Sequence, residues 1–245
     1  MSAPDGRRYH PEQFWSKRLE KDFDLRGVGH RGYSAAYNRW VYRQKGRVLD
    51  AAVGSSAGGL SALDVGSGVG WVVERLLGYG ARVEGCDIAP VAVEELSRRF
   101  PGVSFFRAEI GVTPVPRPDA SYELITALDV MYHVTDDAIW HAALVELARV
   151  LGPGGRLVVT DRLAGDTTAP ARHVRFRSMA EWSEAAASVG LELRDVRGVF
   201  RWLSRSRGES RLDRLLDGAR APLEYALDRA LPGEPHTRCA VFVKR

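Results

Sequence analysis

The sequence of 245 residues predicts an α/β fold, a mostly parallel sheet with helices on both of its faces. Two observations lead to this prediction. From residue 60 onward, short apolar runs alternate with longer segments whose apolar residues recur at helical spacing. Glycine and proline residues mark most of the changes between the two patterns. Because parallel strands are joined by crossover connections, usually helices, this alternation is typical of such a sheet.

The predicted elements cover most of the chain. Strands are expected over 61–65, 82–87, 103–107, 122–128, 156–161, 191–199 and 237–244. Helices are expected over 10–24, 34–52, 69–78, 90–100, 136–151, 178–188 and 209–230. Ser34 is a plausible N-cap, and the run Gly152-Pro153-Gly154-Gly155 is expected to end the helix before it.

The chain divides into two parts near residue 60. Residues 1–59 contain a polar N-terminus (residues 1–8) and two helices separated by a glycine-rich loop over 25–32. Residues 60–245 contain the alternating strands and helices. We expect an N-terminal helical segment in front of a core, forming one structural domain overall.

Composition excludes several classes of protein. The chain is 45% hydrophobic and 27% charged, which is ordinary for a soluble globular protein. It has no signal peptide and no apolar run long enough to span a bilayer, which predicts a cytoplasmic protein without membrane contact. The two cysteines, Cys86 and Cys239, and the six histidines show no metal-ligand spacing.

The charge balance is basic, with a net charge of +4 and a pI of about 9.2. The arginines are spread along the chain and do not interleave with aromatic residues, as a nucleic-acid stacking surface would require. We therefore expect no nucleic-acid partner. Attraction of an anionic small substrate, or simple solubility, explains the charge better.

Glycines at every second position follow the first core strand, in Leu63-Asp64-Val65-Gly66-Ser67-Gly68-Val69-Gly70. Glycine has no Cβ and tolerates positive φ, so such a turn lets backbone amides approach a ligand closely. The spacing is not a dinucleotide fingerprint, because Trp71 stands where its last glycine would be. Asp87 ends the second core strand, where a carboxylate suits ribose hydroxyls. A purely structural turn is the alternative.

Three segments, taken together, resemble class I S-adenosylmethionine-dependent methyltransferases of the small-molecule type. They are the glycine turn, Val83-Glu84-Gly85-Cys86-Asp87-Ile88 and Arg149-Val150-Leu151-Gly152-Pro153-Gly154-Gly155-Arg156-Leu157. The resemblance implies a Rossmann-like, seven-stranded, mostly parallel sheet with helices on both faces. It also implies an N-terminal helical lid over residues 1–59 and a C-terminal antiparallel hairpin of the last two strands.

The resemblance implies S-adenosylmethionine as cofactor, S-adenosylhomocysteine as product and no metal. The implied cofactor-binding residues are Asp64, Gly66, Ser67, Gly68, Asp87, Ile88, Ala108, Glu109, Asp129, Tyr37 and Arg43. By this resemblance Asp64 orients the turn, Asp87 holds both ribose hydroxyls and Arg43 meets the cofactor's carboxylate. By the same resemblance Glu109 stands beside the adenine, where the backbone amides of Ala108 and Glu109 contribute. The alternative for Glu109 is an acidic residue in a solvated loop.

A general base often assists transfer to oxygen, and histidine is the natural base near neutral pH. His133 follows the fourth core strand, in Met131-Tyr132-His133-Val134, where the resemblance directs the methyl group. A structural histidine bonded to backbone is the alternative. Tyr33, Tyr132 and His173 are the candidate substrate-binding residues, with ordinary packing or a surface position as the alternative.

The sequence thus predicts a methyltransferase acting on a small molecule, with oxygen as the preferred acceptor atom, in bacterial specialised metabolism. The stretch from Phe14-Trp15 to Tyr37-Asn38-Arg39-Trp40 is similar to the front end of bacterial small-molecule methyltransferases. Transfer to carbon or nitrogen is one alternative, and a cofactor-binding homologue without methyl transfer is another. An RNA or protein methyltransferase is a further rival, and the RNA reading lacks both an RNA-binding module and the motif used on amines, which Leu128-Asp129-Val130-Met131 replaces. Monomer and homodimer stay open.

Overall fold

The computed structural model describes residues 9–30, 32–54, 57–204 and 211–245, without the side chains of residues 211–215. The polar tail predicted for residues 1–8 lies outside the described residues.

Seven of the described strands form one sheet. The nine described strands are β1 (Ser61–Val65), β2 (Arg82–Asp87), β3 (Ser104–Arg107), β4 (Tyr122–Ala127), β5 (Leu151–Asp161), β6 (Thr168–Ala171), β7 (Val174–Phe176), β8 (Leu191–Phe200) and β9 (Thr237–Lys244), and β6 and β7 form a separate hairpin. The sheet has the order β3-β2-β1-β4-β5-β9-β8. Neighbours from β3 to β5 are parallel, and β9 is antiparallel to both β5 and β8. The predicted Rossmann-like sheet with a C-terminal antiparallel hairpin is confirmed.

Eight α-helices occur within the described residues. They are α1 (Pro11–Lys21), α2 (Leu25–Val28), α3 (Ala35–Val53), α4 (Trp71–Gly78), α5 (Pro90–Arg99), α6 (Asp137–Val150), α7 (Met179–Ser188) and α8 (Arg211–Ala230). Ser34 is the N-cap of α3, as predicted, and its Oγ accepts the Tyr37 amide at 3.1 Å. None of these helices combines the length and apolar character that crossing a bilayer requires.

The helices cover both faces of the sheet, because side chains of each strand alternate between two cores. Leu157 and Val159 of β5 pack in a cluster that contains Trp182 of α7 and much of α6. Val158, between them, packs in a second cluster that contains Leu49 of α3. The period-two alternation therefore separates the two layers.

The N-terminal helices are bound to the core by specific contacts. The Glu12 carboxylate of α1 accepts a hydrogen bond of 2.6 Å from Arg107 at the end of β3. The backbone amide of Ser34, before α3, donates to the Asp217 carboxylate of α8 at 2.8 Å. The carboxylate of Asp228, also on α8, accepts the amide of Arg201 at 2.8 Å. Helix α8 therefore connects α3 to the end of β8.

One predicted boundary is wrong. Strand β5 begins at Leu151, whereas the sequence predicted a turn over Gly152–Gly155 and a strand from residue 156. Leu151 pairs with Tyr122, and the register then shifts before Leu124. The glycines thus form an irregular first part of the strand, where Gly154 has a φ of +73°.

Two elements were not predicted. Helix α2 lies inside the segment expected to be a glycine-rich loop, and the Asp24 side chain caps it by accepting the amides of Arg26 and Gly27. The hairpin of β6 and β7 lies where the sequence predicted no element. Both are too short to produce a recognisable period.

We predict that Asp228→Ala lowers the free energy of unfolding by about 2 to 3 kcal/mol, because buried backbone amides lose a charged acceptor. Asp228 is buried and accepts from the amides of Arg201 and Trp202. Urea unfolding followed by circular dichroism measures the change.

The matched control is Asp195→Ala, which removes a carboxylate on β8 paired with Arg197 at the surface. Exposed ion pairs contribute little, so this variant should stay within about 0.5 kcal/mol of the parent. Equal stability of the two variants would contradict the anchoring role of Asp228.

Candidate functional site

A cavity of about 780 Å³ opens at the carboxyl ends of the parallel strands. Strand β1 lies between β2 and β4, so the chain order reverses beside it. Ligands of open α/β sheets bind at such a reversal. The cavity is lined by the loops after β1, β2, β3 and β4 and by residues of α1, α2 and α3.

The glycine turn forms one wall of this cavity. Gly66, Ser67 and Gly68 line it, and the φ angles of Gly66 and Gly68 are +69° and +52°. A Cβ at Gly66 would meet the Val130 side chain, and a Cβ at Gly68 would lie 2.8 Å from Cγ1 of Val28. Both positions therefore require glycine on grounds of backbone conformation and of space.

Strand β2 holds the turn in place. The Cys86 carbonyl accepts the amides of Gly66 and Ser67 at 2.8 and 3.0 Å. Oδ2 of Asp87 accepts the Gly68 amide at 2.8 Å, and its Oδ1 accepts the Ala89 amide at 2.9 Å. Burial raises the pKa of Asp87, an effect that these backbone bonds oppose. The Asp87 carboxylate lines the cavity.

Asp64 lies behind the turn and does not line the cavity. Its Oδ1 accepts the Thr126 hydroxyl at 2.7 Å, and its carbonyl accepts the Ser67 hydroxyl at 3.0 Å. Its Oδ2 is buried and makes no hydrogen bond among the described residues. Burial raises the pKa of Asp64 to about 7.

The loop after β3 forms a second wall, lined by Ala108, Glu109 and Ile110 together with Ile88 from the loop after β2. The backbone amides expected to contribute here are already used within the chain. The Ala108 amide donates to the Asp87 carbonyl at 3.0 Å, and the Glu109 amide donates to Oγ1 of Thr113 at 2.8 Å. The predicted role of these two amides is therefore not supported, and the Glu109 carboxylate is the polar side chain of this wall.

An ion pair crosses the cavity wall between α3 and the end of β4. Lys45 Nζ pairs with Oδ2 of Asp129, whose Oδ1 accepts the Thr160 hydroxyl at 2.9 Å. The Asp129 amide also donates to Oγ1 of Thr160 at 2.7 Å, which fixes a residue with a φ of +60°. Burial alone would raise the pKa of Asp129, but Lys45 and these bonds lower it below its ordinary value.

The two α3 residues predicted at the cofactor, Tyr37 and Arg43, lie outside the cavity lining. The Tyr37 hydroxyl donates to Glu224 of α8, and the Arg43 guanidinium lies over the ring of Trp40. A helix turns by about 100° per residue, so Tyr37 and Arg43 point away from the face that meets the cavity. Their predicted placement at the cofactor is corrected on this ground.

Tyr42 and Lys45 occupy the cavity face of α3, and the sequence reasoning missed both. They lie three residues apart, so they share one face of the helix. The Lys45 ammonium lies 4.4 Å from the centre of the Tyr42 ring. Spacing gives the faces of a helix, but several faces of α3 carry aromatic residues, so the sequence offered no signal for the choice.

His133 lines the cavity from a 3₁₀ turn, Met131–His133. Its Nδ1 lies 2.6 Å from the carbonyl oxygen of His173. A carbonyl only accepts, so Nδ1 carries the proton and Nε2 carries a lone pair. Burial lowers the pKa of His133 to about 4, so the ring is neutral at neutral pH.

The three predicted substrate residues lie outside the cavity lining. The Tyr132 and His173 rings pack against His133, with centroids 4.5 and 5.7 Å from it. The Tyr33 ring is buried against Tyr37, 4.4 Å away. These residues therefore support neighbouring side chains, because their own rings are turned into packing contacts. Among the described residues, no group of three or more His, Cys, Asp or Glu side chains could hold a metal ion.

Comparison with known proteins agrees with this geometry. Residues 62–155 match a family model described as a methyltransferase domain. A probable S-adenosylmethionine-dependent methyltransferase of Mycolicibacterium smegmatis is 28% identical over 172 residues, covering 68% of this chain and 64% of the relative. The malonyl-[acyl-carrier protein] O-methyltransferase of Hahella chejuensis is 33% identical over 141 residues, covering 53% of this chain and 50% of the relative. The chain thus spans about half to two thirds of the length of these relatives.

A solved structure shares the fold over nearly the whole chain. It is 1,6-didemethyltoxoflavin-N1-methyltransferase of Burkholderia thailandensis with bound 1,6-didemethyltoxoflavin and S-adenosylhomocysteine. The TM-score is 0.59 at 17% identity, with 99% of this chain and 94% of that chain covered. Residues 62–155 are thus similar to a methyltransferase domain, and the seven-stranded sheet that contains them has the fold of S-adenosylmethionine-dependent methyltransferases.

Proposed function

We propose that this protein binds S-adenosylmethionine and transfers its methyl group to a small molecule, with an oxygen atom as the acceptor. The observation that carries the proposal is the Lys45–Asp129 ion pair beside the glycine turn, with Asp87 in the same cavity. The named activity of the Hahella chejuensis relative supports oxygen as the acceptor atom. The resemblance of the N-terminal segment supports bacterial specialised metabolism. Transfer to nitrogen or carbon is the alternative.

The Lys45–Asp129 pair fits the methionine part of the cofactor, which carries one carboxylate and one ammonium group. We assign Lys45 to the carboxylate and Asp129 to the ammonium group. Each would exchange part of its contact with the other for an opposite charge on the ligand, so no buried charge is left unpaired. Lys45 thus takes the role that the sequence resemblance gave to Arg43.

The adenosine part fits the walls formed after β2 and β3. Asp87 would accept the ribose hydroxyls, because a carboxylate has about four acceptor positions and backbone amides use part of them. Ile88 and Ala108 would pack on the base, and the Glu109 carboxylate would accept from its amino group. The glycine turn would lie against the ligand, in space that a Cβ would fill.

When bound, the cofactor supplies a methyl group on a positively charged sulfur, which is already a strong electrophile. The chain's task is therefore alignment of the acceptor and removal of its proton. We assign the hydrogen bond of the acceptor hydroxyl to Nε2 of His133, because Nδ1 donates to the His173 carbonyl and the ring is neutral. A pKa near 4 makes the ring a weak base, so it takes the proton as the new bond to the methyl carbon makes that oxygen acidic. The carbonyl also fixes the orientation of the ring.

We also propose that the N-terminal helices act as a lid. Six residues of this segment line the cavity from three helices: Pro11, Trp15 and Leu19 of α1, Val28 of α2, and Tyr42 and Lys45 of α3. Such a cover excludes water from the reacting groups, which strengthens the electrostatic interactions inside the cavity.

We predict that Lys45→Met weakens binding of both S-adenosylmethionine and S-adenosylhomocysteine by about tenfold or more, because both ligands keep the carboxylate. Isothermal titration calorimetry measures both dissociation constants. The parent protein must bind both ligands at one site per chain, and no binding by the parent would overturn the proposed function.

The matched control is Arg43→Met, two residues away on another face of α3. This variant should change either dissociation constant by less than about twofold, since Arg43 lies outside the cavity lining. A larger loss for Arg43→Met than for Lys45→Met would reverse the assignment.

The protonation state of His133 can be measured without an acceptor. Long-range proton–nitrogen correlation spectra should show the proton on Nδ1 and a titration midpoint near 4, as burial dictates. The signals of His133 are identified by their loss in His133→Gln. A proton on Nε2 would exclude Nε2 as the resting base, and a midpoint near the ordinary value of about 6.5 would contradict the buried, neutral ring.

A further inference from the structure

Five rings from three separate segments form one contiguous cluster beside the cavity. This aromatic wall consists of Tyr9, Phe14, Trp15, His133 and His173. Phe14 contacts Tyr9, Trp15 and His173 with centroid distances of 5.7, 5.2 and 4.7 Å, and Trp15 contacts His133 at 4.8 Å. Tyr9, Trp15 and His133 line the cavity, and the other two hold them from behind.

The aromatic wall presents two neutral polar groups. The Tyr9 hydroxyl is buried beside the Trp15 indole, and among the described residues its contact with that indole falls short of a well-formed hydrogen bond. A buried hydroxyl without a partner is costly, so a ligand atom that bonds to it would be favoured. The second group is Nε2 of His133, whose lone pair is left by the Nδ1 bond to His173.

The charged side chains that line the cavity disfavour an anionic acceptor. Its described lining contains four carboxylates, those of Asp87, Glu109, Asp129 and Asp136, and one ammonium group, that of Lys45. Lys45 is paired with Asp129. An anionic acceptor would therefore enter a negatively charged cavity whose ammonium group already has a partner.

Of the arginines near this region, Arg18 and Arg177 are engaged elsewhere and do not line the cavity. Arg18 donates to the carbonyls of Gly27 and Gly29. Arg177 donates to the Val134 carbonyl at 3.0 Å and pairs with Asp137 at 2.9 Å. Both bind α1 or the β6–β7 hairpin to neighbouring segments.

We propose that the acceptor is an uncharged, planar aromatic alcohol that binds against the aromatic wall, with its reacting hydroxyl at His133 Nε2 and a second polar group at Tyr9 Oη. Offset or edge-to-face contacts between aromatic rings contribute binding free energy beyond that of the apolar area they bury. The reacting hydroxyl satisfies Nε2 of His133 and the second polar group satisfies the Tyr9 hydroxyl, and neither adds charge. This inference rests on the proposed function and specifies its acceptor class.

The test uses protein saturated with S-adenosylhomocysteine and three matched two-ring alcohols. These are 2-naphthol, which is uncharged and planar, 3-hydroxy-2-naphthoate, which adds a carboxylate, and decalin-2-ol, which is saturated. Dissociation constants come from ligand-observed nuclear magnetic resonance titrations. We expect 2-naphthol to bind at least about tenfold more tightly than either of the others. Equal or tighter binding of the carboxylate or the saturated alcohol, or no binding of 2-naphthol, overturns the inference.

Two variants locate the binding. Trp15→Leu should weaken the binding of 2-naphthol about fivefold or more and change the affinity for S-adenosylhomocysteine by less than about twofold. Tyr9→Phe keeps the ring but removes the hydroxyl that would meet the second polar group of the acceptor. It should therefore weaken the binding of 2,7-dihydroxynaphthalene more than that of 2-naphthol. Trp40→Leu is the control, because this tryptophan packs on Tyr225 of α8 at 5.0 Å, outside the cavity. Equal effects of Trp15→Leu and Trp40→Leu would contradict the site.

The two proposals fail in different ways. Protein that does not bind S-adenosylhomocysteine refutes the proposed function itself. Protein that binds it at one site per chain, but fails the comparison of the three alcohols, refutes only the acceptor class.

Discussion

The junction between the glycine turn and β2 is the constraint on which the cavity depends. Gly66 and Gly68 take left-handed backbone conformations, and the Cys86 carbonyl and the Asp87 carboxylate hold their amides. The turn can therefore lie against a ligand without a side chain in the way. Asp87 has two roles at once, since the carboxylate that fixes the turn also faces the cavity. A substitution of Asp87 therefore disturbs the glycine turn and also removes a carboxylate from the cavity.

The part of the fold that local chemistry determines could be predicted. The expected bounds of the first two core strands, 61–65 and 82–87, coincide with β1 and β2. Glycine marks one end of each strand, since Gly66 directly follows β1 and Gly80 precedes β2, so no tertiary information is needed to find them. The orientation of α3 is different, because Lys45 rather than Arg43 meets the cavity. Helical spacing defines faces, but only packing against α8 and the sheet decides which face turns inward.

The aromatic wall shows why the acceptor side was less predictable than the cofactor side. The glycine turn and Asp87 lie in one βαβ unit, so their proximity follows from chain order. Tyr9 comes from the segment before α1, Trp15 from α1 itself, and His173 from the β6–β7 hairpin, which the sequence did not reveal. Only the tertiary structure brings these three residues together at His133. A residue on such a wall has no spacing to distinguish it from an ordinary core aromatic.

Burial shifts the pKa values of the groups at and behind the cavity wall, and the partner of each group decides how far the shift goes. Asp129 is buried beside Lys45, which lowers its pKa, so it stays ionised. Asp64 is buried with hydroxyl partners and one unbonded oxygen, and its pKa rises to about 7. His133 is buried, and burial lowers its pKa to about 4 although the hydrogen bond to the His173 carbonyl opposes the fall. The chain thus keeps a charge where a zwitterionic ligand fits and a neutral lone pair where a proton would leave. The same geometry that disfavours an imidazolium in the free protein makes Nε2 available to an acceptor hydroxyl.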